Sequence, residues 1–203
     1  MNNYVYVLDG KAYVNLTNKC HNACAFCIRN TGDGVAGTPL WLDSEPTADD
    51  VTNAFEEVKS LLKSDEIVFC GYGEPTEALG VLTECAKRFK AAGYKLRLNT
   101  NGLGSLVAGR DITGELKNFD TVSVSLNNCD AEKYYAVTQS AFGTAAFDGV
   151  VEFAKSCKAA GINTVFTVVD TIGRADIEAS ENLAASLGIP LRVRTYIADN
   201  YKR

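Results

Sequence analysis

Three of the seven cysteines in this 203-residue chain fall within eight residues, at Cys20, Cys24 and Cys27. Thiolates bind soft metals, and cysteines spaced this closely indicate one shared metal centre. A structural zinc site closes with four ligands, usually from two separated pairs of cysteines, and no second pair follows here. The one histidine, His21, lies between the first two cysteines, where it could reach a metal only awkwardly.

The same three cysteines fit a [4Fe-4S] cluster better than they fit zinc. Such a cluster needs one ligand per iron, so three protein thiolates leave one iron open. An open iron is a place for a substrate or a cofactor to bind. A zinc-binding domain remains the alternative, although it lacks its fourth ligand.

Length and composition are those of a globular protein. Hydrophobic residues make up 46% and charged residues 22%, and a chain of this length can bury one sizeable core. We therefore expect a single domain over residues 1–203, without an auxiliary cluster domain, because no second cysteine cluster follows. The net charge of -5 gives no basic footprint, which makes direct binding of nucleic acid a minority interpretation.

The first residues show neither a positively charged segment nor a long apolar run of the kind that signal peptides carry. No apolar stretch approaches the length of a membrane span either. We therefore expect a cytoplasmic protein that does not engage a membrane. In that reducing compartment the cysteines are thiols or metal ligands, which suits the cluster.

The first third of the chain predicts a hairpin, a loop and a helix. Two β-rich runs, residues 4–8 and 12–17, are joined through Asp9 and Gly10, a pair typical of tight turns, and the second run leads to Cys20. The glycine-rich connection 28–46 should wrap the metal centre, with Trp41 as a hydrophobic cover. A helix capped by Thr47 follows.

The rest of the chain alternates strand and helix. Such alternation indicates a parallel sheet with right-handed crossovers, here an α/β fold that is an open, partial (β/α)6 TIM-like barrel with an N-terminal β-hairpin. The strands are predicted at 66–70, 94–99, 121–126, 163–169 and 191–197. The helices are predicted at 77–92, 111–118, in a region that ends at residue 160, and at 175–187.

Three of these strands alternate polar with apolar side chains. The helices must cover an apolar face, so the polar face should point into a wet barrel lumen. The polar positions are Arg97 and Asn99; Ser123, Ser125 and Asn127; and Arg192, Arg194 and Tyr196. The apolar positions are Leu96 and Leu98; Val122, Val124 and Leu126; and Leu191 and Val193.

Sites in sheets of this kind lie at the carboxyl ends of the strands. Several polar or glycine-rich segments arrive there, each by a different strand, and we expect them to meet. They are the cysteine loop, residues 71–75, 99–102 and 125–127, Val169 with Asp170, and Tyr196.

Two motifs resemble the radical S-adenosylmethionine (SAM) superfamily. The first is the CxxxCxxC spacing with Phe26 before its last cysteine, and the second is residues 71–75, Gly-Tyr-Gly-Glu-Pro, which look like the family's Gly-Gly-Glu-Pro motif. The small size and the runs 70–76 and 98–103 are most similar to the small TatD-associated (TatD-linked) radical SAM proteins. Tyr72 departs from the motif, because many members have glycine there.

The resemblance implies a radical SAM enzyme whose cofactors are a [4Fe-4S] cluster and SAM. In that family the reduced cluster cleaves SAM to a 5′-deoxyadenosyl radical, which abstracts hydrogen from a substrate, here unidentified and in the lumen. Cys20, Cys24 and Cys27 would be the metal ligands and the catalytic centre. The resemblance places SAM contacts at Phe26, Gly71, Tyr72, Gly73, Glu74, Asn99, Ser125, Asn127, Val168 and Tyr196, with Val169 beside them.

Other cysteines and arginines have more than one interpretation. Cys85 and Cys157 lie on apolar helix faces and are predicted core residues, as is Cys70 at a strand end. Cys129 could donate a hydrogen or bind substrate. The arginines Arg97, Arg192 and Arg194 could meet an anionic substrate or the SAM carboxylate, or pair with acids at the barrel floor.

Several functions stay open beside an unassigned radical SAM reaction. Within the same chemistry they are a glycyl-radical activase and a small modified-nucleobase synthase. From another class comes a non-catalytic, cluster-bearing partner of a TatD-type nuclease. The open side of a six-stranded barrel needs a cover, for which we expect a large substrate, with a second subunit or a partner protein such as that nuclease as alternatives.

Overall fold

Seven strands form one sheet, in sequence order, in the computed structural model. The structure describes residues 2–31 and 34–197, so residues 1 and 198–203 of the predicted domain and Gly32 and Asp33 of the predicted loop lie outside it. The strands are β1 Val5–Leu8, β2 Lys11–Val14, β3 Glu66–Phe69, β4 Lys95–Thr100, β5 Thr121–Ser125, β6 Asn163–Val169 and β7 Leu191–Arg194.

Six α-helices alternate with these strands. They are α1 Ala48–Val58, α2 Leu79–Ala91, α3 Gly104–Ala108, α4 Ala131–Thr138, α5 Ala145–Ala159 and α6 Arg174–Ser186. Short 3-10 turns lie at Ile28–Thr31, Lys59–Leu61, Pro75–Ala78, Thr113–Leu116 and Asp170–Ile172. Among the described residues, no helix combines the length and the apolarity that a membrane crossing needs.

The sheet is parallel from β2 to β7, and only β1 runs antiparallel, against β2. The strands β1 and β7 stand at opposite ends of the strand order and do not pair with each other within the described part of the chain. The predicted partial (β/α)6 barrel with an N-terminal hairpin is therefore confirmed.

Local sequence explains where the first elements turn and begin. Asp9 and Gly10 both have positive φ, 49° and 75°, as the two central residues of a type I′ hairpin turn require. Thr47 caps α1 in a capping box: its side chain accepts from the Asp50 amide while the Asp50 carboxylate accepts from the Thr47 amide. The predicted hairpin and the predicted start of this helix are both confirmed.

One predicted helix is wrong. The chain forms α3 and a separate 3-10 turn at Thr113–Leu116 instead of a helix over 111–118. Gly109, with φ 63°, ends α3, and the Asp111 carboxylate then accepts from both the amide and the hydroxyl of Thr113. This aspartate turn competes with a longer helix.

The main core lies between the sheet and the helices that cover one of its faces. The apolar alternation predicted for the central strands is confirmed, since Leu96, Leu98, Val122, Val124 and Leu126 are all buried there. The predicted core cysteines, Cys85 and Cys157, are fully buried in the same layer. Val193 is 41% exposed, because β7 is the edge strand.

Candidate functional site

A cavity of about 440 Å³ lies on the face of the sheet opposite this core. Its walls come from strand ends, as predicted: Gly73 and Glu74 follow β3, Ser125 ends β5, and Val169 ends β6. Other predicted lumen positions that line it are Arg97, Asn99, Arg192, Arg194 and Tyr196. Ser123 is buried and does not line it.

Cys27 lines this cavity at its mouth, the end formed by the carboxyl ends of the strands, and Cys20 and Cys24 lie near Cys27. Burial, followed by the charges of the thiolates of Cys27 and Cys20, raises the pKa of Cys24 to about 12. Burial likewise raises the pKa of Cys20, whose sulfur accepts a hydrogen bond from Asn101 Nδ2 at 3.7 Å. Within the described residues, no three His, Cys, Asp or Glu side chains converge closely enough to hold a single metal ion. A [4Fe-4S] cluster does not need such convergence, because each thiolate binds a separate iron.

The residues present fit an iron–sulfur cluster. Burial and neighbouring negative charges raise the pKa of Cys20 and of Cys24, so these thiols need a positive partner before they can ionise, and coordination to iron supplies that charge. Soft thiolates are also the ligands that such clusters use. The donor set therefore suits a cluster held by Cys20, Cys24 and Cys27.

Backbone hydrogen bonds fix the cysteine loop to the end of α4. The amides of Ala23 and Ala25 donate to the carbonyls of Thr138 and Val137, at 2.9 and 3.0 Å. His21 does not turn toward the cysteines: its Nδ1 contacts the Glu77 carboxylate, and its ring stacks on Phe142 with 5.4 Å between centroids. The loop is therefore held from both sides, with its sulfur atoms left for other partners.

The turn at residues 71–75 packs so tightly on the end of β2 that two of its positions admit only glycine. A Cβ on Gly71 would lie 2.0 Å from Asn15 Oδ1, and one on Gly73 would lie 2.2 Å from the Thr17 carbonyl oxygen. The Glu74 amide donates to the Lys19 carbonyl, one residue before Cys20, at 2.8 Å. This hydrogen bond therefore ties the turn to the residue directly before the cysteine loop.

Glu74 joins two strand-end loops. Its Oε1 accepts from the amide and hydroxyl of Thr76 and from the Thr100 hydroxyl, and its Oε2 accepts from the Asn101 amide at 2.7 Å. Burial raises the pKa of Glu74, and these hydrogen bonds oppose that shift. With three donors on Oε1 and one on Oε2, only Oε2 retains capacity for a ligand's donor.

Tyr72, the departure from the family motif, does not line the cavity. It is buried with Tyr6, Val35 and Leu40, and its hydroxyl accepts from the Gly34 amide at 2.9 Å. Trp41 packs edge-on against it with 5.2 Å between centroids, as expected for a hydrophobic cover. The bulky residue is accommodated because the loop after the cysteines closes around it.

We predict that Tyr72→Phe loosens this loop around Gly34. The lost hydrogen bond should lower the free energy of unfolding by about 1 kcal/mol, because the Gly34 amide is left without that acceptor. Hydrogen exchange measured by mass spectrometry should show faster exchange in the peptide that contains Gly34. Tyr94→Phe serves as the control, and equal exchange in all three proteins would contradict the assignment.

The structure separates the predicted SAM contacts into two sets. Phe26, Gly71, Gly73, Glu74, Asn99, Ser125 and Tyr196 line the cavity. Tyr72, Asn127 and Val168 do not. Val168 is fully buried on the helix side of β6, so that its neighbour Val169 faces the cavity instead. Asn127 is buried, with φ 59°, and its amide donates to the Thr167 carbonyl.

The cavity residues that sequence reasoning missed include Tyr6, Tyr13 and Cys70. Tyr6 and Tyr13 line the cavity from the hairpin, paired across β1 and β2 with ring centroids 5.3 Å apart. The alternation of side chains along the two hairpin strands could have shown that Tyr6 and Tyr13 share one face of the sheet. Cys70, predicted as core, is half-buried and lines the cavity. Cys129 is half-buried and does not line it.

The comparisons with known proteins agree with this architecture. The GTP 3′,8-cyclase of Corynebacterium glutamicum (strain R) is 28% identical over 191 residues, which cover 88% of this chain and 47% of that enzyme. This chain thus spans about half the length of the curated relatives it matches.

Solved structures share the fold at low sequence identity. Streptococcus suis SuiB bound to SAM superposes with a TM-score of 0.64 and 17% identity, over 94% of this chain and 39% of SuiB. TYW1 with a lysine–pyruvate adduct gives a TM-score of 0.66 and 15% identity, over 95% of this chain and 67% of TYW1.

The family model of the radical SAM superfamily matches residues 14–184, which include the cysteine loop, the 71–75 turn and strands β3 to β6. With the open barrel and the cysteine site described above, the chain belongs to the radical SAM superfamily, whose cofactors are a [4Fe-4S] cluster and SAM.

Proposed function

We propose that this protein is a radical SAM enzyme that acts on a substrate held in the cavity. One observation carries the proposal. The cysteine loop and the turn at residues 71–75 are joined by a backbone hydrogen bond at the mouth of a cavity of about 440 Å³. When bound, the cluster and SAM supply a 5′-deoxyadenosyl radical that abstracts hydrogen. The protein's own groups must then hold SAM, orient the substrate and exclude water.

We assign the SAM contacts to side chains that line the cavity. The free capacity of Glu74 Oε2, and the backbone bared by Gly73, would hold the SAM ammonium. Ser125 and Asn99 offer hydrogen bonds to the ribose and carboxylate, and Phe26 offers an apolar edge for the adenine. The backbone that would border the adenine at Tyr196 is fixed by its amide, which donates to Asp170 Oδ1 at 2.9 Å.

The edge strand supports a large substrate or a partner protein at the open side. Val193 and Tyr196 are each 41% exposed there, as large apolar or aromatic side chains beside a cavity. A large substrate that covers this edge is the occupant we favour, and a TatD-type nuclease is the partner we propose if a protein covers it. The enzyme would work in the cytoplasm, where thiols stay reduced.

The TatD-associated subgroup is part of the proposal. Its support is that the two runs on which the likeness depends, 70–76 and 98–103, are joined in space by the hydrogen bonds of Glu74 to Thr100 and Asn101. The two runs therefore form one structural unit. The substrate of the GTP 3′,8-cyclase relative is not carried over, because this chain spans less than half of that enzyme.

Anaerobic reconstitution tests the proposed function. The chain is loaded with iron and sulfide, reduced, and given SAM; we expect 5′-deoxyadenosine and methionine as products. SAM that binds but stays intact under strong reductant would support the non-catalytic, cluster-bearing partner instead. One zinc per chain with no sulfide would contradict both.

A further inference from the structure

Three arginines line the cavity away from its cysteine mouth. Arg97 projects from β4, and Arg192 and Arg194 are alternate residues of β7, so they share the face that points inward. Arg97 precedes Asn101, the contact of Cys20, by four residues, or about 13 Å of strand. The arginine cluster is thus offset from the metal-binding end.

The described residues supply little negative charge to balance this cluster. Glu66 lies 3.7 Å from Arg97 Nη2, yet its Oε2 also accepts from Lys11 Nζ at 2.5 Å. Within residues 2–31 and 34–197, no carboxylate lies within 4.0 Å of the Arg192 or Arg194 side-chain nitrogens. Glu74, the acidic residue among the described residues that line the cavity, is engaged by four protein donors.

The arginine cluster contains a hydrogen-bond donor without a partner and positive charges that repel one another. Arg97 Nε is buried without a hydrogen-bond partner among the described residues, although its side chain is 15% exposed. Burial and then the charges of Arg97 and Arg194 lower the pKa of Arg192, as expected where guanidinium groups crowd one another. A buried unpaired donor and three mutually repelling cations are both stabilised by an anion that binds between them.

We propose that Arg97, Arg192 and Arg194 form an oxyanion subsite, which binds a carboxylate or phosphate group of the substrate. Guanidinium groups bind both kinds of group through paired N–H donors, so the cluster fits either. The identity of the occupant as substrate rests on the proposed function. The binding of an anion by these arginines does not rest on the proposed function, because it needs neither reductant nor SAM cleavage.

Isothermal titration calorimetry of the cluster-loaded chain, without reductant, tests the subsite. The probes are inorganic phosphate and malonate, each titrated at constant ionic strength maintained with sodium chloride. We expect saturable binding of at least one probe, weakened roughly 10- to 100-fold by Arg97→Gln and by Arg192→Gln. The stronger probe identifies the class of anion. Arg174→Gln is the matched control, because that side chain is 92% exposed and pairs with Glu178 on α6.

Two further measurements separate a loss of anion binding from a loss of folding. Arg97→Lys retains the charge without the fork and should bind more weakly than wild type but better than Arg97→Gln, and thermal unfolding shows which variants are folded. Binding of neither probe by the wild type, or equal affinity in wild type and both glutamine variants, overturns the proposal. A loss of SAM affinity in those variants with phosphate and malonate binding unchanged overturns it too, and assigns the arginines to the SAM carboxylate.

Discussion

Replacing Cys24 with alanine is expected to abolish both cluster assembly and SAM cleavage. Cys20, Cys24 and Cys27 are the proposed cluster ligands, and loss of one leaves two irons of a [4Fe-4S] cluster without a protein ligand. We expect iron and sulfide content after reconstitution to fall to background, and 5′-deoxyadenosine formation to drop by more than about 100-fold. Iron and sulfide analysis together with product chromatography measure both effects.

Cys129→Ala is the matched control for this variant. That cysteine is also half-buried, yet it does not line the cavity. Its removal should leave iron content and SAM cleavage at wild-type levels. A Cys24→Ala protein that retains a full complement of iron and sulfide would show that the cluster is bound elsewhere.

Replacing Glu74 with glutamine is expected to weaken both the fold and SAM binding, although the side chain keeps its size. The Thr76 amide donates to one carboxylate oxygen and the Asn101 amide to the other. A glutamine NH2 group therefore faces an N–H donor in either orientation. The unpaired, buried donors should lower the free energy of unfolding by about 1–3 kcal/mol, which urea denaturation measures.

The same change should reduce SAM affinity by roughly 10- to 100-fold, because the charged acceptor for the ammonium is lost. Equilibrium binding of SAM to the cluster-loaded variant measures this loss. Glu84→Gln, on the exposed face of α2, provides the control and should change neither quantity by much, since its pairing with Arg88 lies at the surface. If Glu74→Gln has wild-type stability, the Glu74 carboxylate does not accept the four hydrogen bonds assigned to it.

Much of the fold was accessible from sequence, because periodicity and turn chemistry are local. Asp9 and Gly10 specify the hairpin turn, Thr47 and Asp50 specify the start of α1, and polar alternation in β4 and β7 identifies the lumen face. The cysteine spacing likewise depends on one short segment. Each of these signals needs only neighbouring residues to be interpreted.

The wrong predictions fall in strands where the local sequence pattern does not distinguish the two faces of the sheet. Strand β3 is apolar on both faces, with Ile67, Val68 and Phe69 all buried, so alternation could not show that Cys70 faces the cavity. The same ambiguity in β6 explains why Val168 was predicted at the site together with Val169, although only Val169 of the two lines the cavity.

The role of Glu74 could not be predicted from sequence either, for a different reason. Its donors Thr100 and Asn101 arrive from a neighbouring strand, 26 and 27 residues along the chain. A hydrogen bond at that separation depends on the register of the sheet, which the sequence pattern does not specify. The structure therefore adds a scaffold function to a residue that the motif assigned to ligand binding alone.

Electron paramagnetic resonance of the reduced, reconstituted protein, recorded with and without SAM, tests most directly whether one iron is left open by the three cysteines. We predict a signal of a reduced [4Fe-4S] cluster whose g values shift when SAM is added, because SAM reaches an iron that no side chain holds. An identical spectrum at saturating SAM would contradict this account.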